Sequence, residues 1–498
     1  MNKKFRVLSI TVVFMILALA VGCKNDDGIN VELQNEVNDF IWFAMYEYYY
    51  WVDDVDDLSI EKYPTYDALH TFLNGYNNPI NLFDDLLYSP GEVDRFSWIV
   101  DDYEELEASF QGISKSFGFE FGLIAISGGN DIFGYVKYVV PASPADNAGI
   151  IRGDLFTKVD GVQLTRDNYQ ALLFGSESYS LTLATIQDNT ISDTDQEVSM
   201  NAVELSENPI LVSEVFKDLG GPKVGYLMYN QFISNNAYHE ELNNVFGTFV
   251  SEGITDIVLD LRYNGGGSLL TSRILSSMIY GNSTSNDLLG SIVYNERLTN
   301  ALTANNIDLD ITFLDKIPDT NSTINQLNLD RVFILISGST ASASEFVIAG
   351  LDPYMDITLI GMQTVGKNVA SATLYDSEDY QKSNTLNPNH KYAIQPIISQ
   401  LANSEGFTDY IDGFVPNISV NELDYLEEGL KPLGDPSEVL LATALDIITA
   451  GPARVERIPD SGLRTVFDSQ DKDEIQNTIL IDYKELPPIH RNYLKDMQ

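Results

Sequence analysis

Between about Val212 and Ala450, short apolar runs alternate with helix-like stretches, and three of those runs lead directly into turns rich in glycine or hydroxyl residues. TDIVLDLR (255–262) runs into YNGGG, RVFILIS (331–337) into GSTASAS, and DITLIG (356–361) into MQTVGK. Such runs are too short for helices and too uniformly apolar for one-sided strands, so they read as strands buried on both faces. Between them HEELNNVFGTFVSEG, SLLTSRILSSMIYG and ASEFVIAGL read as helices. This pattern restricts residues 210–450 to a layered α/β domain, in which turns at strand ends are where sites are assembled.

The remaining sequence adds two smaller units. Leu33, Val37, Ile41, Ala44, Met45, Tyr48 and Trp51 recur at helical spacing, and further helical stretches follow at Tyr66–Leu73 and Asp101–Phe110, so residues 37–111 read as a helical N-terminal domain. The aromatic cluster Tyr46 to Trp51 reads as core packing. From 112 to 203 the pattern changes to short strands and turns. Within it SPADNAG starts a short helix with Ser143 as cap and Pro144 at its first position, and Asp160-Gly161 turns one strand into the next. Residues 451–498 are poorer in large apolar side chains and read as an extension without an assigned role.

A chain of 498 residues, 44% hydrophobic and 11% aromatic, has material for several cores. Its net charge of −44 becomes −47 once residues 1–22, with Lys3, Lys4 and Arg6, are removed. That surface repels phosphate backbones, which argues against nucleic-acid binding. DDVDD at 53–57 lacks the glycine and terminal glutamate of a calcium loop, and HEELN at 239–243 has asparagine where a zinc motif needs its second histidine, so no metal and no cofactor is expected. Residues 1–22 combine a basic start with an apolar run ending in AVG, directly before Cys23, the sole cysteine. This resembles a bacterial lipoprotein signal, with Cys23 as the lipidated residue and 23–36 as a tether. The expected location is the cell envelope, as an outer-membrane lipoprotein facing either the periplasm or the exterior. One cysteine allows no intrachain disulfide.

The candidate chemistry lies in three turns. Ser342 stands between a strand ending at Ser337 and a helix beginning near Ala343, a setting that exposes a nucleophile and points a helix N-terminus at it. Ser339, Thr340 and Ser344 compete for that role. The triple glycine of DLRYNGGG (260–267) lets backbone N–H groups approach a ligand. His70, His239, His390 and His490 fall in no motif around the serine, which leaves Lys367, in TVGKNVAS, as the plausible base. At an unperturbed pKa of about 10.4 only about one lysine in 2,500 is neutral at pH 7, and lowering it to about 7 to 8 requires burial costing on the order of 4 kcal/mol.

TASASE at 340–345, Lys367 twenty-five residues after Ser342, DLRYNGGG upstream and the module at 112–203 together resemble the C-terminal processing peptidases, or tail-specific proteases. DRFSWIVDDYEELEASFQG (94–112) is similar to the N-terminal domain that accompanies such enzymes in Bacteroidetes. The resemblance implies a multidomain α/β chain with a helical N-terminal domain, a PDZ-like β-rich domain and a crotonase-like serine peptidase core. It implies Ser342 as nucleophile, Lys367 as general base, and an oxyanion hole from the N–H groups of Ala343 and Gly266. Where the family often has glutamine four residues after the lysine, this chain has Ser371, whose shorter reach leaves its part in catalysis open. The PDZ-like domain implies partners in the form of protein or peptide substrates with free C-termini, received by a loop at Phe121, Gly122 and Leu123. A non-catalytic, tail-binding lipoprotein with an inactive protease fold is the alternative.

Overall fold

The alternating runs of 210–450 fold into two sheets that share the job of carrying the turns. The structure, a computed structural model, describes residues 31–481 apart from 127–128, 189, 305, 452–460 and 473–478. The lipoprotein-type segment 1–22, Cys23, most of the tether and His490 lie outside the described residues.

One sheet runs in the order Ile210–Phe216, Val224–Tyr229, Asp256–Asp260, Arg331–Ile336, Asp356–Gly361, Ile418–Ser419, antiparallel in its first pair and parallel thereafter. Alternate side chains feed opposite faces. Leu227, Ile257 and Leu259 join the core formed with the helices Asn236–Glu252, Leu269–Ile279 and Ala343–Leu351, whereas Tyr226, Met228 and Val258 pack with the helix Val439–Ala450. Burial on both faces is why these strands read as unbroken apolar runs. A second sheet runs Gly267–Ser268, Ile479–Leu480, Val369–Ser371, Ile397–Asn403, Leu288–Tyr294, Asp310–Thr312.

The helical N-terminal unit has no core of its own. The helix Glu36–Tyr48 is capped by Asn35 and buries Phe40, Ile41, Trp42, Phe43, Ala44, Met45 and Tyr48, more than one stripe's worth, because its residues merge into the same apolar cluster as the first sheet's helices. The strand Trp98–Val100 then pairs with Ala393–Gln395, sewing the unit to the larger domain. The β-rich module has a separate core around Phe119, Phe121, Ile132, Val136, Phe156 and Leu181. Its short helix Pro144–Asn147 is capped by Ser143 as the sequence indicates. The extension beyond 451 acquires a structural place that its composition does not reveal: Thr465–Asp468 adds to the module's sheet, and Ile479–Leu480 adds to the second sheet of the large domain.

The DLR segment fixes the layers to one another. Arg262 is fully buried and binds Asp260 through Nε (3.0 Å) and Nη2 (2.8 Å) and Glu438 through Nη1 (2.6 Å) and Nη2 (2.8 Å). Glu438 in turn caps the helix Val439–Ala450, accepting from the N–H groups of Leu440 and Leu441. Arg152, from the β-rich module, reaches Glu422 (2.8 Å) and the Tyr263 hydroxyl (2.5 Å), so the charged network also spans the two domains. Removing one member of a buried ion network leaves the others desolvated and unpaired, which outweighs what the pairing itself gains. Arg262→Met is therefore expected to lower unfolding stability by about 3–5 kcal/mol, measured by urea denaturation; a change near zero would show that the network is solvated.

Candidate active site

Two turns converge on one carboxylate. Glu345, in the first turn of the helix Ala343–Leu351, is fully buried and accepts four hydrogen bonds: the Ser342 N–H (2.8 Å) and Lys367 N–H (2.8 Å) on Oε2, and the Gly366 N–H (2.8 Å) and Thr364 hydroxyl (2.5 Å) on Oε1. Because Ser342 and Lys367 share one oxygen, their backbone nitrogens lie no farther apart than twice that bond length. Burial pushes the Glu345 carboxyl above its ordinary range while the four donors pull it down. The carboxylate also sits at a helix N-terminus, where negative charge is favoured.

Ser342 adopts φ 65° and ψ −115°, a left-handed conformation that strains a residue bearing a Cβ. Glu345 and the loop around Asn264 hold it there. Asn264 accepts the Ala341 N–H (3.1 Å) and the Ser344 hydroxyl (3.0 Å) on its backbone oxygen, and its side-chain amide donates to Tyr229 O (2.7 Å). The hydroxyls of the run differ in one decisive respect. Ser339 donates to Asp468 (2.6 Å), Thr340 to Leu261 O (2.8 Å) and Ser344 to Asn264 O, whereas Oγ of Ser342 is buried and makes no well-formed hydrogen bond among the described residues, with only the Glu345 N–H of the capping box turned towards it. An unsatisfied buried hydroxyl costs about 1–3 kcal/mol, a cost the fold sustains at this one member of the run.

Lys367 is fully buried, and its Nζ lies 4.5 Å from the centroid of the Phe96 ring. Burial lowers its pKa from 10.5 to about 7, with Asp94 and Glu345 opposing that shift and Arg95 adding to it. The burial that the sequence leaves open is thus supplied by residues far away in the chain. Asp94 accepts the Tyr49 hydroxyl (2.7 Å) and the N–H groups of Phe96 and Ser97, shaping the turn that lays Phe96 over the ammonium. Arg95 donates to Gly366 O (2.6 Å). These contributions of Tyr49, Asp94 and Phe96 are missing from the sequence reading, although DRFSW carries three of the residues involved. Glu345 is also missing from it, despite standing in TASASE.

The three described histidines are occupied elsewhere. His70 bonds to Val31 O, His390 to Asp376, and His239 to Thr271 Oγ1 (2.8 Å), with burial lowering the His239 pKa to about 4.

Gly266 packs directly on the serine turn: a Cβ there would meet Ser342 Cβ at 2.7 Å and the Ala343 nitrogen at 3.0 Å, and its φ of 114° suits glycine. Its own N–H donates to Asn264 Oδ1 (2.9 Å), so Gly266 reaches a developing oxyanion only by exchanging that bond. Ala343 opens the helix beside it. Ser371 is buried, donating to Ile479 O (3.3 Å) and accepting from the Gln395 amide (3.1 Å), so its hydroxyl is engaged with the C-terminal extension and Gln395.

Phe121, Gly122 and Leu123 differ from the expectation of a loop. They lie inside the strand Phe119–Ala125, paired with Ile132–Val139 on one side and with Thr465–Asp468 on the other, so their backbone groups belong to a ladder. The glycine-containing turn that opens this strand is Ser116–Gly118, and it lines a cavity of about 530 Å³ together with Phe119, Phe174 and Ser469.

The chain has counterparts among known proteins. Residues 223–397 match the model of peptidase family S41, residues 36–98 that of the peptidase S41 N-terminal domain, and residues 135–185 that of the PDZ domain. A carboxyl-terminal-processing protease of Synechocystis is 24% identical over 320 residues, covering 62% of this chain and 64% of that protein. The chloroplastic carboxyl-terminal-processing peptidase 2 of Arabidopsis thaliana is 26% identical over 275 residues, 53% of this chain and 48% of that one. The chain thus spans roughly half to two thirds of these relatives' length. The crystal structure of a putative S41 protease from Bacteroides fragilis superposes with a TM-score of 0.64 at 28% identity, covering 82% of this chain and 97% of that one.

The depressed lysine pKa has a thermodynamic signature independent of any reaction. As pH falls from 10.5 towards 7 the unfolded chain takes up a proton that folded Lys367 refuses, so stability is lost across that window; below about 7 both states are protonated and the loss is complete. Lys367→Met removes the penalty. The variant is expected to melt increasingly above the parent as pH is lowered from 10 to 7, by on the order of 4 kcal/mol at the acid end; a pH-independent difference in calorimetry would contradict a buried, neutral lysine.

Proposed function

The chain belongs to peptidase family S41 with a PDZ domain, and from that premise we propose that it is an envelope-anchored serine endopeptidase of the C-terminal processing type, using Ser342 as nucleophile and Lys367 as general base. One observation carries this reading: among the hydroxyls of residues 339–344, that of Ser342 alone is buried without a well-formed hydrogen bond among the described residues, on a turn that Glu345 ties to the lysine turn.

In this mechanism Ser342 Oγ attacks the scissile carbonyl carbon while neutral Lys367 Nζ takes its proton. The carbonyl oxygen becomes an oxyanion near the N-terminus of the helix Ala343–Leu351, where the Ala343 N–H and the helix dipole favour negative charge. Gly266 contributes a second N–H if Asn264 releases it. The C–N bond breaks as Lys367 returns its proton to the leaving amine. Lys367 then activates a water that hydrolyses the acyl-enzyme and regenerates the serine. Ser342 is fully buried, so substrate reaches it only once the site opens, but its attack then breaks no strong hydrogen bond of Oγ. Ser371 acts at most through Gln395 and the neighbouring strand, and its part in the reaction remains a proposal of positioning.

Substrates in this reading are proteins or peptides with free C-termini that the PDZ domain presents. The turn Ser116–Gly118, rather than Phe121–Leu123, is the better seat for a terminal carboxylate because it opens the strand and borders the cavity. The membrane is reached through an acylated Cys23, a reading supported by the apolar run ending directly before the chain's sole cysteine.

Three expectations test the reading. Ser342→Ala is expected to abolish hydrolysis of an unfolded protein, by at least a thousandfold, while retaining a cooperative melt, whereas Ser339→Ala and Ser344→Ala retain activity. In the parent, kcat/KM should rise with pH through an ionisation near 7 as Lys367 loses its proton; wild-type rates in Ser342→Ala would reject the nucleophile. Cys23→Ala is expected to move the protein from the membrane to the soluble fraction, since each buried CH₂ of an acyl chain contributes about 0.8 kcal/mol; unchanged fractionation would place the anchor elsewhere.

A further inference from the structure

The C-terminal extension adds as a strand at two places, the edge of the PDZ sheet and the second sheet of the large domain. In the PDZ domain, Thr465, Phe467 and Asp468 pair antiparallel with Ile124, Leu123 and Gly122, on the edge of Phe119–Ala125 facing away from Ile132–Val139. This is how a peptide augments a sheet, with main-chain bonds giving affinity and side-chain pockets giving selectivity. Phe467 supplies the side chain: its ring lies 4.9 Å from Tyr169 and 5.7 Å from Phe174. Asp468 supplies the charge. It binds Nζ of Lys137 (2.6 Å), a lysine almost wholly buried, and accepts from Ser339 in the same run as Ser342. Ser469 then accepts the Phe121 N–H (2.8 Å), and the chain leaves the groove before the Ser116–Gly118 turn.

The second contact lies in the peptidase domain. Ile479 and Leu480 run parallel to Gly267 and Ser268 on one side, and Leu480 pairs with Ser371 on the other, where the Ile481 N–H also donates to Ser371 O (3.0 Å). Gly267 directly follows the glycine that packs on Ser342, and Val369–Ser371 begins two residues after Lys367. The strands that flank the serine and the lysine therefore stand one strand apart, and residues 479–481 fill the gap. A cavity of about 370 Å³ continues beside Leu480 and Ile481, lined also by Phe232, Thr373 and Tyr375.

We propose that the described stretches 465–470 and 479–481 hold, in cis, the two strand-binding slots of a protein substrate, and that the groove selects in trans peptide strands with an aromatic residue followed by an acidic one. The peptidase is then restrained by its own C-terminal segment until a competing strand displaces it. This rests on the peptidase reading above for its consequence, but not for the groove itself.

The test separates the two. In the chain from residue 24 carrying Ser342→Ala, a fluorescent peptide LRTVFDSQ is titrated, and amide exchange of 119–125 is followed by mass spectrometry. Phe467→Ala with Asp468→Lys is expected to bind the peptide at least tenfold more tightly than its parent and to exchange faster in 119–125 only, and a peptide with alanine for phenylalanine is expected to lose binding. Equal affinity in both chains, or unchanged exchange, overturns occupancy of the groove. If exchange rises throughout the chain, Val466→Pro replaces the double variant, and the same outcomes apply. With Ser342 intact, release of the segment is expected to raise hydrolysis of an unfolded protein at least fivefold. Tight peptide binding with an unchanged rate overturns the restraint alone, whereas absence of hydrolysis in every chain overturns the peptidase reading and leaves the groove result standing.

Discussion

The Glu345 carboxylate is the interaction on which the site depends. Its two oxygens collect the backbone of Ser342, Gly366 and Lys367 and the hydroxyl of Thr364, joining turns that follow two different strands of the parallel sheet. A buried carboxylate is costly unless its acceptor positions are filled, and here four donors fill them. Stability and geometry are thereby the same requirement: the arrangement that makes Glu345 tolerable in the interior is the one that sets the serine turn beside the lysine turn. The strain at Ser342 is tolerated for the same reason, since its N–H is held by a bond that a relaxed turn would forfeit.

The electrostatic state of Lys367 has another origin. Its neutral tendency near pH 7 comes from burial, and part of that burial is provided by Phe96, on a turn shaped by Asp94 and Tyr49 in the N-terminal unit. That unit shares its apolar core with the large domain, so it is a wall of the site rather than an accessory. The PDZ domain is joined by buried polar contacts, Arg152 to Glu422 and Tyr263 and Lys137 to Ser339, beside an apolar cluster that Ile124 and Tyr135 share with Leu423 and Leu426. Close apolar packing resists displacement across a shared core, and ion pairs reward one geometry and lose much of their value when it is broken. The chain thus holds Lys367 against a rigid wall and attaches the PDZ domain through charged groups as well as apolar contact.

Much of this was legible in the residues. Apolar runs such as 331–337 and 356–361 reported strands buried on both faces, SPADNAG reported a capped helix, and GSTASASEF reported a turn entering a helix, because each depends on local sterics, caps and burial period. Phe121, Gly122 and Leu123 lie in a strand and not in a loop for an equally physical reason: Gly122 resembles a loop glycine in sequence, but in the fold it makes room for the Tyr135 ring, which a Cβ there would meet at 2.4 Å. Glu345 was indistinguishable from an ordinary first-turn acid, since nothing local states that four donors from elsewhere will surround it.

The sequence by itself determined the alternation of strands and helices, the placement of a serine and a lysine in turns after strands, and the single cysteine behind an apolar run, all properties of neighbours along the chain. Tertiary structure alone decided that Ser342, rather than Ser339 or Ser344, keeps a hydroxyl without a well-formed hydrogen bond, that Lys367 is desolvated under a ring 271 residues upstream, and that the C-terminal extension enters two sheets. Hydrogen-bond satisfaction, desolvation and strand pairing between distant segments are sums over groups that only folding brings together, and no local pattern encodes their outcome.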